Sequence, residues 1–451
     1  MRTQRVLEPP GVDDPGDFGV ALRRARLSAR LTQNELADRS GLSTRTISDL
    51  ECGRVGQPRN SSLNLLVAAL GVDDQVAAKL VGATGQSGGA QEQPCERLHA
   101  AHELPAAVPD FTGRECELAA MADRAAAAAN RDRAAPVLVL LTGAPGVGKT
   151  ELAVRFGHEL AARSPHVHPA TQLFVELGGT CQPRTSADLL RQMLSSLGVR
   201  DADCPADHDQ RMRLYRSLLY RRRALVLLDD AADEAQVRPL LPAGTGCVAV
   251  ITSRRTLEGL SPTIRMPLDV LPPQDAFAFL GQAAGQRRLA ADEAAARCLV
   301  AQCGQLPVAL RIVANQLAAR PHWPFARMAG RLEDEDARLA ALVAGDLSVL
   351  AAFDSSYIQL SATAQIIFSR LALLPDVGFT TEMADVLSDS ADPAWPVLDE
   401  LAGASLIQAT GPDRYLTHCL LRLYARRKLV ECEGPERIQA VERRVVRLLA
   451  A

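Results

Sequence analysis

The sequence predicts a multidomain fold in which a small all-α domain is followed by an α/β domain with a parallel sheet and then by two further, mostly helical subdomains. Three observations lead to this prediction: short amphipathic helical patterns over residues 18–81, continuous apolar runs within residues 136–251, and a helical period rich in Leu and Ala beyond residue 272. Apolar runs without alternation are typical of strands buried on both faces of a parallel sheet.

Length and composition narrow the class of protein. The 451 residues correspond to roughly two to four domains. Fifty Lys and Arg against 53 Asp and Glu give a formal net charge of −3, which excludes a polycation and a polyacidic tail. No apolar run reaches the ~18 residues that a membrane span needs, and no signal peptide precedes the first domain. Ten cysteines are too few for a disulfide scaffold. We therefore expect a cytoplasmic protein with no membrane partner.

The all-α segment at residues 18–81 has the pattern of a helix-turn-helix. Thr32 followed by Glu35 is a capping box that starts one helix. Gly41 can end that helix in a left-handed conformation, and Ser43 can cap the next one. In this arrangement the second helix can enter a major groove of DNA. Eight arginines and four acidic residues between positions 18 and 59 supply the local positive charge that phosphate contacts require.

The free face of the second helix offers Thr44, Arg45, Thr46 and Ser48. Together with Leu31-Thr32-Gln33 and the run from Ile47 to Arg54, the segment resembles the XRE family of Cro and phage-repressor-like helix-turn-helix domains. The resemblance implies that Gln33 braces a phosphate, that Thr44 to Thr46 face bases and that Arg54 flanks the backbone. The DNA-contacting set is then Gln33, Ser43, Thr44, Arg45, Thr46, Ser48 and Arg54. A helical bundle that binds only protein is the alternative.

A phosphate-binding loop follows the first apolar run. Residues 136–142 lead directly into Gly143-Ala144-Pro145-Gly146-Val147-Gly148-Lys149-Thr150, and a helical pattern begins at Glu151. The glycines let backbone N–H groups converge on phosphate oxygens, and the new helix adds its positive N-terminus. Lys149 is expected to reach the β- and γ-phosphates, and Thr150 to hold Mg²⁺. The pattern predicts a doubly wound P-loop NTPase domain that binds ATP or ADP.

Polar residues follow two later apolar runs of the same domain. The run at 224–228 ends in Asp229 and Asp230, and the run at 247–251 leads to Arg254. A carboxylate at the carboxyl end of a strand beside the phosphate loop is suited to Mg²⁺, so Asp229 is the expected metal ligand. Asp230 is either the group that activates the attacking water or a helix N-cap. Arg254 can sense the γ-phosphate.

Six motifs occur in an order that resembles the NB-ARC module of STAND signalling ATPases. They are Phe111-Thr112-Gly113-Arg114-Glu115, the phosphate loop, Leu227-Leu228-Asp229-Asp230, Thr252-Ser253-Arg254, Gly304-Gln305-Leu306-Pro307 and Tyr415-Leu416-Thr417-His418. The resemblance implies that Phe111, Thr112, Gly113 and Arg114 pack on the adenine and ribose. It also implies that Pro307 caps the adenine and that His418 reaches the β-phosphate of ADP. An ordinary helix start for Pro307 and a core histidine at position 418 are the alternatives.

Two departures from the resemblance bear on regulation. Cys419 stands where the family usually has Asp, which predicts a weaker ADP-locked state. No internal period of 34 or 40 residues is found, although relatives commonly carry a repeat sensor after the module. A naturally short form, a truncated chain and a switch that depends on a protein or small-molecule sensor partner are the alternatives.

The preferred hypothesis is an actinomycete-type transcriptional regulator in which ATP or ADP controls double-stranded DNA binding and self-association, with slow hydrolysis. The alternatives are a remodelling ATPase localised by DNA and a regulator that holds ADP as a structural cofactor. The expected organisation is a disordered N-terminus at 1–17, a helix-turn-helix domain at 18–81, a flexible linker at 82–110, a nucleotide-binding domain at 111–265, a helical subdomain at 266–345, a winged-helix subdomain at 346–430 and a C-terminal helix or tail at 431–451.

Overall fold

The computed structural model describes residues 18–29, 31–40, 42–52, 66, 69–70, 101–129, 135–163, 171–220, 222–390 and 392–450. These residues fall in two units, and the division between the units lies between Arg97 and Leu98. The predicted disorder at 1–17, most of the linker, Arg54 and most of the closing helix of the first domain lie outside the described residues.

The N-terminal unit contains the predicted helix-turn-helix. Its described helices are α1 (Phe18–Ser28), α2 (Gln33–Ser40) and α3 (Thr44–Glu51). The capping box is confirmed, because the Thr32 N–H donates to Glu35 and the Glu35 N–H donates to Thr32 Oγ1. Ser43 Oγ accepts the N–H of Thr46 and so starts α3. The helices enclose one apolar core, whose members include Leu22, Leu36, Ile47, Leu50 and Leu66.

The second unit is built on a five-stranded parallel sheet. Its strands are β1 (Val137–Gly143), β2 (Thr171–Glu176), β3 (Ala224–Ala231), β4 (Val248–Ser253) and β5 (Ile264–Leu268). Their order is β2-β3-β4-β1-β5, and every pairing is parallel. The doubly wound α/β sheet that the apolar runs predict is therefore confirmed.

Both faces of the sheet are covered by helices, which explains why its strands are apolar throughout. Val137, Val139 and Leu141 point into one core, and Leu138 and Leu140 point into the other. The first face packs against α4 (Glu115–Ala129) and α5 (Lys149–Arg163), and the second against α6 (Ser186–Ser196) and α7 (His208–Tyr220). The short helix α8 (Glu234–Val237) follows β3.

Two predicted boundaries of this domain need correction. The predicted flexible linker includes residues 101–110. In the structure, however, His102 forms a parallel bridge to Gln172, and Asp110 pairs with Arg311. This segment therefore extends the sheet edge. The expected boundary after residue 265 falls inside β5, which pairs with β1. Pro267 and the exposed Arg265 interrupt the apolar pattern of this strand, and proline is tolerated mainly at a sheet edge.

The helical subdomain follows the sheet. Its helices are α9 (Pro273–Ala284), α10 (Gln286–Ala291), α11 (Glu293–Gln302), α12 (Pro307–Ala318), α13 (Phe325–Arg331) and α14 (Glu335–Ala341). Buried Leu and Ala side chains join α9, α11 and α12 to the core on the first face of the sheet. The subdomain is therefore packed on the side of the sheet that carries α5.

The last segment has the helices and hairpin expected of a winged helix. It contains β6 (Val343–Ala344), β7 (Leu347–Ser348), α15 (Val349–Tyr357), α16 (Ala362–Arg370), α17 (Thr381–Asp385), α18 (Trp395–Gly403), the hairpin β8 (Gln408–Gly411) and β9 (Arg414–Leu416), and α19 (Cys419–Cys432). The buried Arg370 pairs with Asp389 and Glu433, and Asp389 also pairs with Arg437 and Arg444 of the final helix, α20 (Pro435–Ala450). Within the described residues, no helix has both the length and the apolar character to cross a bilayer.

Candidate functional site

The phosphate loop joins the end of β1 to the start of α5. Gly143, Gly146 and Gly148 have φ angles of 145°, 78° and 91°, which side chains rarely adopt. A Cβ at Gly146 would lie 2.3 Å from Val308 Cγ1, and the Val308 N–H donates to the Gly146 carbonyl. The loop therefore needs glycine both to turn and to let the start of α12 approach it.

Lys149 is folded onto the loop that precedes it. Its Nζ donates to the carbonyls of Gly143 and Ala144, at 2.7 and 3.0 Å. Burial lowers the pKa of Lys149 to about 7, and the nearby Arg254 guanidinium acts in the same direction. Among the described residues, no carboxylate forms an ion pair with this ammonium group. A buried cation without an ion-pair partner is suited to a phosphate anion.

Two threonine hydroxyls converge on one carboxylate at the carboxyl edge of the sheet. Thr150 Oγ1 and Thr252 Oγ1 both donate to Asp229 Oδ1, at 2.8 and 2.6 Å. Burial raises the pKa of Asp229. The donor set consists of hard oxygen atoms, which is what Mg²⁺ prefers, and a cation would compensate a carboxylate buried this deeply. Thr150 and Asp229 therefore fit a Mg²⁺ ion, and Thr252, which is part of a sequence motif but has no predicted role, joins them through its hydroxyl.

Asp230 is held beside Asp229 in a left-handed conformation, with a φ of 57°. Its Oδ2 accepts the N–H and the hydroxyl of Thr180, at 2.8 and 2.7 Å. The alternative of a helix N-cap is wrong, because Asp233 caps α8. Asp230 lines the same cavity as Lys149, where a carboxylate can accept a proton from water.

Arg254 lies between the cavity and the winged-helix segment. Its Nη1 donates to the carbonyl of Ala352 and to the hydroxyls of Ser355 and Ser356, each at 2.8 Å. All three acceptors belong to α15. Burial lowers the pKa of this guanidinium, although it remains a cation because arginine does not deprotonate in proteins. The predicted γ-phosphate sensor is thus in contact with another subdomain.

The cavity around these groups has a volume of about 610 Å³. Its apolar wall includes Phe111, Leu271, Phe279 and Pro307, which suits a planar base. The predicted site residues that line this cavity are Phe111, Thr112, Arg114, Gly146, Val147, Gly148, Lys149, Thr150, Glu151, Asp229, Asp230, Arg254 and Pro307. Pro307 is also the first residue of α12, which is the ordinary helix start, and its role against the adenine stays a prediction.

The Phe111–Arg114 motif positions the wall of this cavity. The Arg114 guanidinium donates to the carbonyls of Val147 and Asp269 and pairs with Glu117. Thr112 Oγ1 donates to Gln282 on α9. Gly113 has a φ of 75°, and a Cβ there would lie 3.0 Å from Asp275. Gly113 therefore shapes the turn without lining the cavity.

Arg311 also lines the cavity, although no sequence motif points to it. The Arg311 guanidinium donates two hydrogen bonds to Asp110 and stacks over the ring of Phe279 at 4.7 Å. It therefore ties the segment before Phe111 to α12.

His418, Gly143 and Ala144 face a different space. His418 Nε2 is 2.8 Å from the Gly304 carbonyl, and its Nδ1 accepts the N–H of Leu420. With Gly143 and Ala144 it lines a larger cleft on the opposite side of the loop, while Pro145 is buried. Burial lowers the pKa of His418. The structure thus brings His418 to the loop but not into the cavity of Lys149.

The recognition helix α3 presents several of its predicted DNA-contacting side chains. Thr44, Arg45 and Thr46 are exposed, and the Arg45 side chain is 92% accessible. Ser43 and Thr46 are hydrogen-bonded to each other at the helix start, and Ser48 is half-buried. Gln33 is expected to brace a phosphate, but its amide donates to Glu51, which also pairs with the buried Arg26. The role of Gln33 in this structure is to hold α2 against α3.

The fold and the site define a P-loop ATPase domain attached to an N-terminal helix-turn-helix. The helix-turn-helix domain family matches residues 17–80, and the AAA domain family matches residues 133–238. These matches confirm the combination of domains that the motifs predict.

Two curated relatives are actinomycete proteins. The chain is 38% identical over 358 residues to the regulatory protein AfsR of Streptomyces coelicolor, and 40% identical over 330 residues to AfsR of Streptomyces griseus. The alignments cover 78% and 72% of this chain but 35% and 33% of the relatives. The chain thus spans about a third of the length of these relatives, and the predicted resemblance to actinomycete regulators is confirmed over the shared region.

Two solved structures align with this chain at low identity. One is a STAND protein with a tetratricopeptide repeat sensor from Pyrococcus horikoshii, with 18% identity, a TM-score of 0.34 and coverage of 77% of this chain and 46% of that chain. Another is the ORC2 protein of Aeropyrum pernix, with 14% identity, a TM-score of 0.45 and coverage of 78% and 98%.

Proposed function

We propose that this protein is a DNA-binding transcriptional regulator whose ATPase unit acts as a nucleotide switch. ATP or ADP binds in the cavity beside the phosphate loop, and slow hydrolysis of ATP resets the switch. The nucleotide state then controls how the winged-helix segment packs on the sheet. That arrangement in turn controls self-association and the use of the helix-turn-helix domain on DNA.

The cavity supports nucleotide binding through complementary groups at its two ends. Lys149 provides a buried cation for phosphate, and Phe111 and Pro307 provide apolar contacts for a purine. Thr150 and Asp229 would hold Mg²⁺, which supplies charge compensation to the phosphates when bound. Asp230 is positioned by Thr180 to accept a proton from water.

The observation that carries the switch is the contact between Arg254 and α15. The guanidinium lines the nucleotide cavity and at the same time donates three hydrogen bonds to α15. A γ-phosphate in the cavity would compete for this cation, because a phosphate accepts stronger hydrogen bonds than hydroxyl or carbonyl groups do. ATP and ADP therefore differ in how strongly they compete with α15.

A second contact of the same segment acts on the proposed base. Gln359, two residues after α15, donates to the carbonyls of Gly179 and Thr180, and Thr180 holds Asp230. A displacement of α15 would therefore disturb both the γ-phosphate sensor and the group that orients the base. This coupling favours a switch over a site that holds ADP only as a structural cofactor.

The exposed α3 and the names of the relatives support DNA as the partner. Helix α3 presents Thr44, Arg45 and Thr46 to solvent, as major-groove reading requires. The two Streptomyces relatives are named regulatory proteins. Genome-wide mapping of DNA bound by the native protein and by Lys149→Ala would identify the operator and show whether its occupancy depends on nucleotide.

The test of the switch is the double variant Ser355→Ala/Ser356→Ala. Removing two acceptors frees Arg254 for phosphate. We therefore expect the affinity for a non-hydrolysable ATP analogue to rise roughly tenfold relative to the affinity for ADP, since a hydrogen bond to a charged group is worth about 1.5–3 kcal/mol. Arg254→Ala is expected to bring the two affinities close together. Titration calorimetry measures both affinities.

The matched control is Ser195→Ala/Ser196→Ala, another serine pair at the end of a helix, which lies in α6. It should leave the ratio of the two affinities unchanged. If the α15 pair and Arg254→Ala also leave the ratio unchanged, Arg254 does not distinguish ATP from ADP and the proposed switch is wrong.

A further inference from the structure

A group of arginines surrounds one tryptophan on the helical subdomain, away from the nucleotide cavity. The guanidinium carbons of Arg320, Arg327 and Arg331 lie 4.8, 4.4 and 5.5 Å from the centre of the Trp323 ring. All three arginines are exposed, and Trp323 is half-buried. We call these four residues the arginine–tryptophan patch.

The patch is held in place by the subdomain beneath it. Arg288 donates to the carbonyls of Leu317 and Trp323 and stacks over Phe325 at 5.6 Å. Arg327 and Arg331 lie on α13 at an i, i+4 spacing, which puts them on the same helix face. The three cations are therefore gathered by a fixed loop and a helix.

The positive charge of the patch is not balanced by ion pairs. Within the described part of the chain, none of Arg320, Arg327 and Arg331 has a carboxylate within salt-bridge distance, and the Arg320 side chain donates only to the carbonyl of Gln316. Of the acidic residues that follow α13, Asp334 caps α14 and Glu335 faces Arg426. Like charges this close repel one another, so an anion bound between them would be stabilising.

The geometry distinguishes a phosphate backbone from a base. Cations over the Trp323 ring occupy the space in which a nucleobase would stack. The patch can therefore receive phosphates but cannot read an unpaired base. Phosphate contacts from arginine are independent of sequence and position a protein on duplex DNA. Because the same chain carries a helix-turn-helix, duplex DNA is the polyanion that this surface fits best.

We propose that the arginine–tryptophan patch is a second DNA-binding surface, through which the ATPase unit contacts the phosphate backbone of duplex DNA. The patch adds affinity without sequence preference, whereas α3 supplies the sequence preference. This surface is independent of the nucleotide switch, since none of its residues lines the nucleotide cavity.

The first test measures binding of the full chain to a duplex of arbitrary sequence by fluorescence anisotropy at several salt concentrations. Each phosphate contact contributes about 0.9 to the slope of log affinity against log salt. The variant R320Q/R327Q/R331Q is therefore expected to lower the magnitude of this slope by roughly 2–3. The control R414Q/R443Q/R447Q removes the same charge from exposed arginines elsewhere on the unit and should leave the slope nearly unchanged.

A second measurement observes the patch directly in protein that keeps its arginines. The chain has two tryptophans, so Trp395→Phe leaves Trp323 as the sole tryptophan reporter. Added duplex DNA should reduce the quenching of its fluorescence by acrylamide, because the DNA would cover the ring. The same protection is expected in Arg45→Ala, in which the contact of α3 with bases is weakened.

Two results would overturn the proposal. Equal slopes for the native chain and the patch variant, or equal losses in the patch and control variants, would show that these arginines do not contact DNA specifically. Unchanged quenching of Trp323 at saturating DNA would show that the patch remains uncovered. Neither result bears on the response to ATP and ADP, so failure here is distinguishable from failure of the switch.

Discussion

At the scale of single residues, Lys149 shows how burial can prepare a cation for an anionic ligand. The ammonium group donates to two carbonyls of its own loop, which satisfy its hydrogen bonds without neutralising its charge. Burial therefore lowers the pKa of Lys149 to about 7. Bound phosphate would compensate the positive charge of Lys149 and raise this pKa again, because a nearby anion favours the charged form.

This reasoning predicts proton uptake when nucleotide binds. At pH 8 the side chain of Lys149 is mostly neutral in the free protein, since its pKa is about 7, and it becomes charged in the complex. Binding should therefore take up close to one proton and weaken as the pH rises from 7 to 9. Titration calorimetry in two buffers with different ionisation enthalpies measures the uptake directly.

The control for this measurement is Lys149→Ala, which removes the titrating group together with its hydrogen bonds. This variant is expected to bind ADP at least tenfold more weakly, since a hydrogen bond to a charged group is worth about 1.5–3 kcal/mol. The remaining binding should take up no proton at pH 8. Equal proton uptake in the native chain and in this variant would assign the proton to another group.

At the scale of elements, the start of α19 depends on a glycine in the helical subdomain. Gly304 has a φ of 58°, and a Cβ there would lie 2.5 Å from both Cys419 Sγ and His418 Nε2. The missing side chain lets the first turn of α19 contact the turn before α12. His418 uses this approach to reach the Gly304 carbonyl, so the two subdomains are joined through backbone as well as side chains.

We predict that Gly304→Ala destabilises the second unit by about 1–3 kcal/mol, because it combines overpacking with an unfavourable φ angle. Differential scanning calorimetry should show a lower unfolding midpoint. Gly330→Ala is the matched control, since Gly330 lies in α13 with no atom within 4 Å of the added Cβ, and alanine in a helix is favourable by roughly 0.5–1 kcal/mol. Similar midpoints for the two variants would contradict this account.

The sequence predicts elements well where the pattern is local and poorly where contacts are distant. Three strands follow from the apolar runs at 136–142, 224–228 and 247–251, and the phosphate loop follows from its spacing. The strand β5 contains Pro267 and lacks an apolar run, so its pairing with β1 leaves no local signal. In the same way, Thr180 meets Asp230 only because the loop after β2 lies beside β3. Site residues brought together by the sheet order have no periodic pattern to reveal them.

At the scale of the whole second unit, α15 connects the carboxyl edge of the sheet to the C-terminal helices. Ser355 and Ser356 face Arg254, whereas Asp354 accepts from Tyr424 and Lys428 on α19. Neighbouring positions on one short helix thus contact Arg254 of the nucleotide cavity on one side and the helix capped by His418 on the other. A rigid helix with contacts on two sides can transmit a displacement between them.

The transmission should be measurable as a coupling between the ligands of the two units. If ATP changes the affinity for operator DNA by some factor relative to ADP, saturating DNA must change the ratio of ATP to ADP affinity by the same factor, because binding free energies are linked. We expect this factor to lie between about 5 and 150, the usual range for allosteric pairs. The operator from genome-wide mapping and a non-hydrolysable ATP analogue allow both sides of the cycle to be measured at equilibrium.

The Ser355→Ala/Ser356→Ala variant should reduce the factor, since it weakens the link between Arg254 and α15, whereas Ser195→Ala/Ser196→Ala should preserve it. A factor of one in the native chain would mean that the nucleotide stabilises the ATPase unit without controlling DNA binding, as a structural cofactor would.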